Sequence, residues 1–127
     1  MIGVVIVAHG GLANEYLAAV EHVFGQQRNM RAVPISANCD RALQQQEICA
    51  AADGVDQGQG VVIVTDVFGA SPMNLSKLAC NCTTRKMING ANVPLLLKLV
   101  QLRKQPIEEA VNKAIEAGRK HINCLAN

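Results

Sequence analysis

Two short runs of β-branched residues constrain the fold of this chain more than any other feature. One, IGVVIV, covers Ile2–Val7, and the other, VVIVT, covers Val61–Thr65. Neither alternates apolar with polar residues, so neither suits a strand with one wet face. Uninterrupted runs of this kind fit strands buried on both sides, as in parallel sheets covered by helices. Parallel strands need crossover connections, and the stretches between these runs carry helical periodicity. The reading is α/β.

The remaining elements follow from spacing and punctuation. The first strand covers Ile2–Ala8. Ala13, Leu17, Val20 and Phe24 recur at helical spacing, predicting a helix over Leu12–Phe24 with Gly25 as C-cap. A short strand is expected over Arg31–Ile35, then a helix from Arg41 to about Ala52 capped by Asp40. After the strand Val61–Thr65, the loop DVFGASP leads to a helix with Leu75, Leu78, Ala79 and Cys82 aligned. A strand over Arg85–Asn89 precedes a helix over Val93–Leu102 capped by Asn92. Pro106 suits the first turn of a last helix, whose stripe is Ile107, Ala110, Val111, Ala114 and Ile115, and Gly118 can end it. The tail Lys120–Leu125 is read as a short edge strand. With no linker or repeat, residues 1–127 are expected to form one domain. If strand one lies in the middle, beside strand three, right-handed crossovers give an open, mainly parallel four-stranded sheet of order 2-1-3-4, with helices on both faces.

Composition narrows the function classes. Half of the 127 residues are apolar, enough for a core without metal or disulfide support. The net charge is +2 with no basic run, and the only aromatics are one tyrosine and two phenylalanines, which argues against a nucleic-acid platform. Five scattered cysteines suit free thiols in a reducing compartment. Cys80-Asn81-Cys82 lacks the spacing of a zinc pair, and no metal or other cofactor is expected. The apolar N-terminus has no basic n-region, and no segment has the length of a membrane span. A soluble, cytoplasmic protein is the expectation.

Order 2-1-3-4 has its switch point between strands one and three, where open α/β sheets place their ligands. His9 ends the first of these strands and Asp66 follows the other. Neighbouring strands lie about 4.8 Å apart, so the two side chains can meet. A carboxylate that accepts a proton from one imidazole nitrogen leaves the other with an outward lone pair, a potential nucleophile. Each residue alone also fits an ordinary strand end. Ser71-Pro72 reads as N-cap and first helical residue, which by itself explains the serine. Alternatively, Gly69, Ala70 and that helix start, with Gly10 and Gly11 before the first helix, turn backbone N–H groups toward an anion. A nucleophilic histidine between such donors suggests phosphoryl transfer through phosphohistidine.

The stretches VVIVAHG, GVVIVTDVFGASPMN and INGANVPLLL, in this order and spacing, resemble the enzyme IIA domain of the mannose-type (mannose/fructose/sorbose) sugar phosphotransferase system. The resemblance covers nearly the whole chain. It implies a phosphotransferase component in which His9 accepts a phosphoryl group from the carrier protein HPr and passes it to an enzyme IIB. It further implies that Asp66 orients the imidazole, that Ser71 helps hold the phosphoryl group, and that Phe68, Met73 and Asn74 lie near the docking surface. Homodimers exchanging a C-terminal strand, and a place beside a membrane permease complex without insertion into it, are implied in the same way. Ala70 stands where many relatives have a second glycine, and Ala8 where several have a hydroxyl residue. No IIB domain follows within the sequence, so the partner is expected to be a separate protein. If it is missing, the phosphorylation state of His9 would serve regulation. Tetrapyrrole chelatases also begin with a buried strand ending in His-Gly, but FGASP has no role in such a site.

Overall fold

The computed structural model describes residues 1–126. Four strands, β1 (Gly3–His9), β2 (Met30–Ile35), β3 (Val61–Thr65) and β4 (Arg85–Asn89), form one parallel sheet of order β2-β1-β3-β4. Five helices connect or follow them: α1 (Leu12–Phe24), α2 (Arg41–Val55), α3 (Ser71–Ser76), α4 (Val93–Gln101) and α5 (Ile107–Lys120). The α/β class and the strand order are as expected.

The strand period of two sorts the core into two layers. Val4, Ile6 and Ala8 of β1, with Val62, Val64 and Ile88, pack against Ala13 and Val20 of α1, Leu96 and Leu99 of α4, and Ala110 and Ala114 of α5. Val5 and Val7, with Val33, Ile35 and Ile63, pack against Ile48, Ala52 and Val55 of α2 and Leu75 of α3. Both layers are closed, which explains why β1 and β3 carry no polar alternation. β2 is an edge strand and tolerates Pro34. Gly10 and Val4 use the carbonyls of Ile35 and Asn29, so odd-numbered residues of β2 face β1 and position 34 faces the open edge. A missing N–H there removes no ladder bond and blunts the edge.

Several boundaries differ from expectation, each for a local reason. α2 runs on to Val55 because Val55 is itself a core residue. The helix after the DVFGASP loop stops at Ser76, and a separate 3-10 turn covers Leu78–Cys80. The Ser76 hydroxyl bonds back to the Pro72 carbonyl at 2.6 Å, a bond that bends helices, and Leu78 is left on the surface. Gly118 does not end α5. It is buried where α5 crosses α4, and a Cβ there would lie 3.0 Å from that of Leu95, so the glycine serves close helix approach. The expected edge strand within Lys120–Leu125 does not form: Lys120 closes α5, and the described tail residues beyond it make no ladder. Arg85 bonds the carboxylates of Asp53 at 2.6 Å and Asp56 at 3.3 Å, tying β4 to the end of α2.

Arg103 is the other unexpected anchor. Its side chain is buried and donates to the carbonyls of Ile2, Arg28 and Asn29 at 2.7–2.8 Å. It secures the N-terminal ends of β1 and β2, opposite the edge that carries His9.

Candidate functional site

β1 and β3 are in register with Val7 beside Thr65, so the chain leaves both strands at the same edge of the sheet. Gly10 then turns sharply with φ +53°, a left-handed conformation that a side chain would disfavour. His9 is thereby the last residue of β1, and Asp66 is the first residue beyond β3. Asp66 Oδ2 accepts two hydrogen bonds from His9, one from the backbone N–H at 3.0 Å and one with Nδ1 at 2.7 Å. Backbone and ring of one residue held on one oxygen leave the imidazole little freedom to rotate.

The pair is asymmetric in burial. The Asp66 side chain is 6% exposed and that of His9 is 52% exposed. Burial alone would raise the Asp66 carboxyl's pKa. The backbone and ring hydrogen bonds from His9, together with the charge of the imidazole, outweigh burial and hold it below its ordinary value. Asp66 is therefore ionised at neutral pH and can only accept, so Nδ1 carries the proton. In the neutral ring Nε2 then keeps its lone pair. This is the geometry of an oriented nucleophile. The second oxygen, Asp66 Oδ1, is buried without a hydrogen-bond partner among the described residues.

The loop after Asp66 differs from expectation in one informative way. Ala70, not Ser71, is the N-cap of α3, and no side chain caps that helix. Ser71 is the first helical residue and Pro72 the second, so capping does not account for the Ser71 hydroxyl. α3 has only six residues, and its dipole is correspondingly slight. Gly69 adopts φ +85°, and its N–H points at the Met73 sulfur at 3.3 Å, a weak acceptor. The Gly10 N–H already donates to the Ile35 carbonyl at 2.8 Å, so this glycine contributes a turn more than a free donor.

The three residues assigned to docking separate. Phe68 is 77% exposed, beside an exposed Val67. Met73 is buried under the loop, and Asn74 braces it by donating from Nδ2 to the Gly69 carbonyl at 3.3 Å. Sequence reasoning missed Tyr16, whose hydroxyl donates to the Ala91 carbonyl at 3.2 Å. It also missed the β4–α4 loop, where Gly90 and Ala91 donate N–H to the Thr65 carbonyl next to Asp66. The signals were a lone tyrosine soon after His9 and the segment NGAN. His22, in the last turn of α1, and His121, bonded to the Ala117 carbonyl at the end of α5, lie on other elements. Among the described residues no group of three or more His, Cys, Asp or Glu could hold a metal ion, and no helix is long and apolar enough to cross a membrane.

A family model described as EIIA-man, PTS system fructose IIA component, matches residues 3–116. The chain is 28% identical to YadI of Escherichia coli strain K12, provisionally named a phosphotransferase enzyme IIA component, over 98% of this chain and 87% of that one. It is 27% identical to the PTS system mannose-specific EIIAB component of the same strain, again over 98% of this chain but only 39% of the relative. Among solved structures, the mannose/sorbose specific IIA subunit from Enterococcus faecalis superposes with a TM-score of 0.87 at 16% identity, covering 99% of this chain and 96% of that one. At that identity the likeness speaks for the fold alone. Taken with the His9–Asp66 edge, the family match leads to one conclusion: the chain belongs to the EIIA-man family of phosphotransferase-system IIA components, as a sugar phosphotransfer component.

Proposed function

We propose that this protein is a phosphohistidine relay, taking a phosphoryl group from HPr onto His9 Nε2 and passing it to a separate enzyme IIB. The observation that carries the reading is the exposed imidazole whose Nδ1 is held at 2.7 Å by a buried carboxylate. In the forward step the Nε2 lone pair forms a bond to phosphorus. The donor's P–N bond breaks, and its imidazole leaves with the electron pair. His9 becomes a phosphoimidazolium that keeps its Nδ1 proton, and the negative charge of Asp66 stabilises the cation. Transfer to the next histidine reverses these roles, so no resident cofactor is consumed or required. The Ser71 hydroxyl, with N–H groups of the Gly69–Ala70 turn, would hold the phosphoryl oxygens, and Gly10 would clear space beside the ring.

Phe68 and Val67 supply an apolar surface beside the nucleophile, suited to partner docking. The component would work in the cytoplasm, next to a permease complex. β4 is an edge strand of the sheet, Ile122 lines a groove with Met87, Ile88 and Asn89 of that strand, and the tail exposes Ile122 and Leu125. An open edge and an unpaired apolar tail favour a homodimer in which each tail adds to the partner's β4. The test is incubation with labelled phosphoenolpyruvate, enzyme I and HPr. Label on the protein should be acid-labile and absent from His9→Ala, and label persisting in that variant would overturn the assignment.

A further inference from the structure

Tyr16 is the chain's only tyrosine and stands early in α1, the helix that begins three residues after His9. Its ring packs against the α1-side core, a task an apolar residue would do as well. The hydroxyl has a separate partner, the Ala91 carbonyl at 3.2 Å. Ala91 and Gly90 in turn donate N–H to the Thr65 carbonyl at 2.9 and 3.0 Å. The buried Thr65 side chain hydrogen-bonds that of Asn89, the last residue of β4. Asp66 is the next residue after Thr65, and it closes the circuit by holding His9.

A ring of short links therefore runs from His9 through the start of α1 to Tyr16, across to the β4–α4 loop, and back through Thr65 and Asp66. We propose that the Tyr16 hydroxyl is a positioning group for the His9–Asp66 pair, pinning the β4–α4 loop to α1 so that the end of β3 presents Asp66 at hydrogen-bond distance from the imidazole. Burial, and second the negative charge of Asp66, raise the phenol's pKa, so it stays protonated and remains a donor. Without the hydroxyl the half-buried Ala91 carbonyl loses its partner. The loop that seats Thr65 is then fixed from one side only. The proposal rests on the relay reading only for its effect on rate.

The test is Tyr16→Phe in the full chain, which keeps the ring and its packing. Asp66 is followed by carboxyl carbon NMR and the His9 ring by nitrogen NMR across pH. Phosphoryl uptake from the phosphohistidine donor is followed by rapid quench. The expected result is an upward move of the Asp66 titration toward an ordinary carboxyl and a smaller share of the Nδ1–H tautomer. The maximal transfer rate should fall roughly three- to tenfold with KM for the donor unchanged, the size of one lost hydrogen bond expressed at the reacting pair. The phenol removed is neutral and is not a hydrogen-bond partner of Asp66, so a shift at Asp66 reports positioning. Wild-type Asp66 titration and His9 ring signals in the variant, at whatever melting temperature, would overturn the proposal and leave the hydroxyl a structural role. If the wild type itself takes up no phosphoryl group, the relay reading fails while the two NMR measurements still decide on Tyr16.

Discussion

Replacing Asp66 with asparagine exchanges an ionised acceptor for a neutral amide of the same shape. Asp66 Oδ2 now receives the backbone N–H and Nδ1 of His9 at 3.0 and 2.7 Å. In Asp66→Asn an amide oxygen facing the ring makes only a neutral bond, and an amide NH₂ facing it selects the unproductive tautomer, with the proton on Nε2. A hydrogen bond to a charged group contributes about 1.5–3 kcal/mol. The carboxylate also interacts more strongly with the phosphoimidazolium than with the neutral ring, so this difference falls on the reacting state. Phosphoryl uptake should therefore slow roughly 10- to 150-fold. Rapid-quench measurement of uptake from phospho-HPr reads the rate, and thermal melting checks the fold. The variant also carries a pH signature. The folded carboxyl titrates below its unfolded value of about 3.9, so its stabilising contribution is complete above that pH. That contribution is lost as pH falls through the lower folded value, so the stability gap between wild type and Asp66→Asn should close on acidification below about pH 4. A variant that folds, transfers within twofold of wild type and keeps a constant stability gap down to the acid range would refute the orienting role.

Three further outcomes are expected. Arg103→Met should cost about 2–4 kcal/mol in urea unfolding, because three carbonyls at the start of the sheet lose their buried donor, yet leave the uptake rate at low temperature unchanged. Burial pushes the Cys80 thiol up to about 11, whereas the Thr84 side chain draws that of the exposed Cys82 below its ordinary value. Alkylation at pH 8 followed by peptide mass spectrometry should label Cys82 at least roughly tenfold faster than Cys80. On the docking role proposed for its exposed ring, Phe68→Ser should raise KM for phospho-HPr roughly three- to tenfold with little change in maximal rate.

What could be read from the sequence was what local chemistry decides. The runs around Val5 and Ile63 are apolar on both faces, which marks their strands as central, and setting them side by side gives order 2-1-3-4 and brings His9 and Asp66 to one edge. Asp40 and Asn92 cap their helices because capping depends on residues three positions apart, at Leu43 and Leu95. Long-range choices were hidden. Arg103 reaches Ile2 across 101 positions, and Tyr16 reaches Ala91 across 75. Nothing in periodicity announces such pairs. Ser71 and Ala70 exchanged roles by one position because Pro is compatible with either of the first two helical places. The resemblance put Met73 near the docking surface, and the fold buries it under the loop, with the Gly69 N–H on its sulfur. The tail carries strand-forming Ile122 and Leu125, yet no ladder within the chain receives it, so its propensity has nothing to act on.

The central claim is that Asp66 fixes the ring so that Nε2, and not Nδ1, is the atom that reacts. Combined phosphorus and nitrogen NMR of the chain phosphorylated through enzyme I and HPr, with labelled histidine, reads that atom directly. The expected result is a single phosphoramidate on His9 Nε2 with the proton retained on Nδ1. Phosphorus bonded to His9 Nδ1, or to any other side chain, would contradict it.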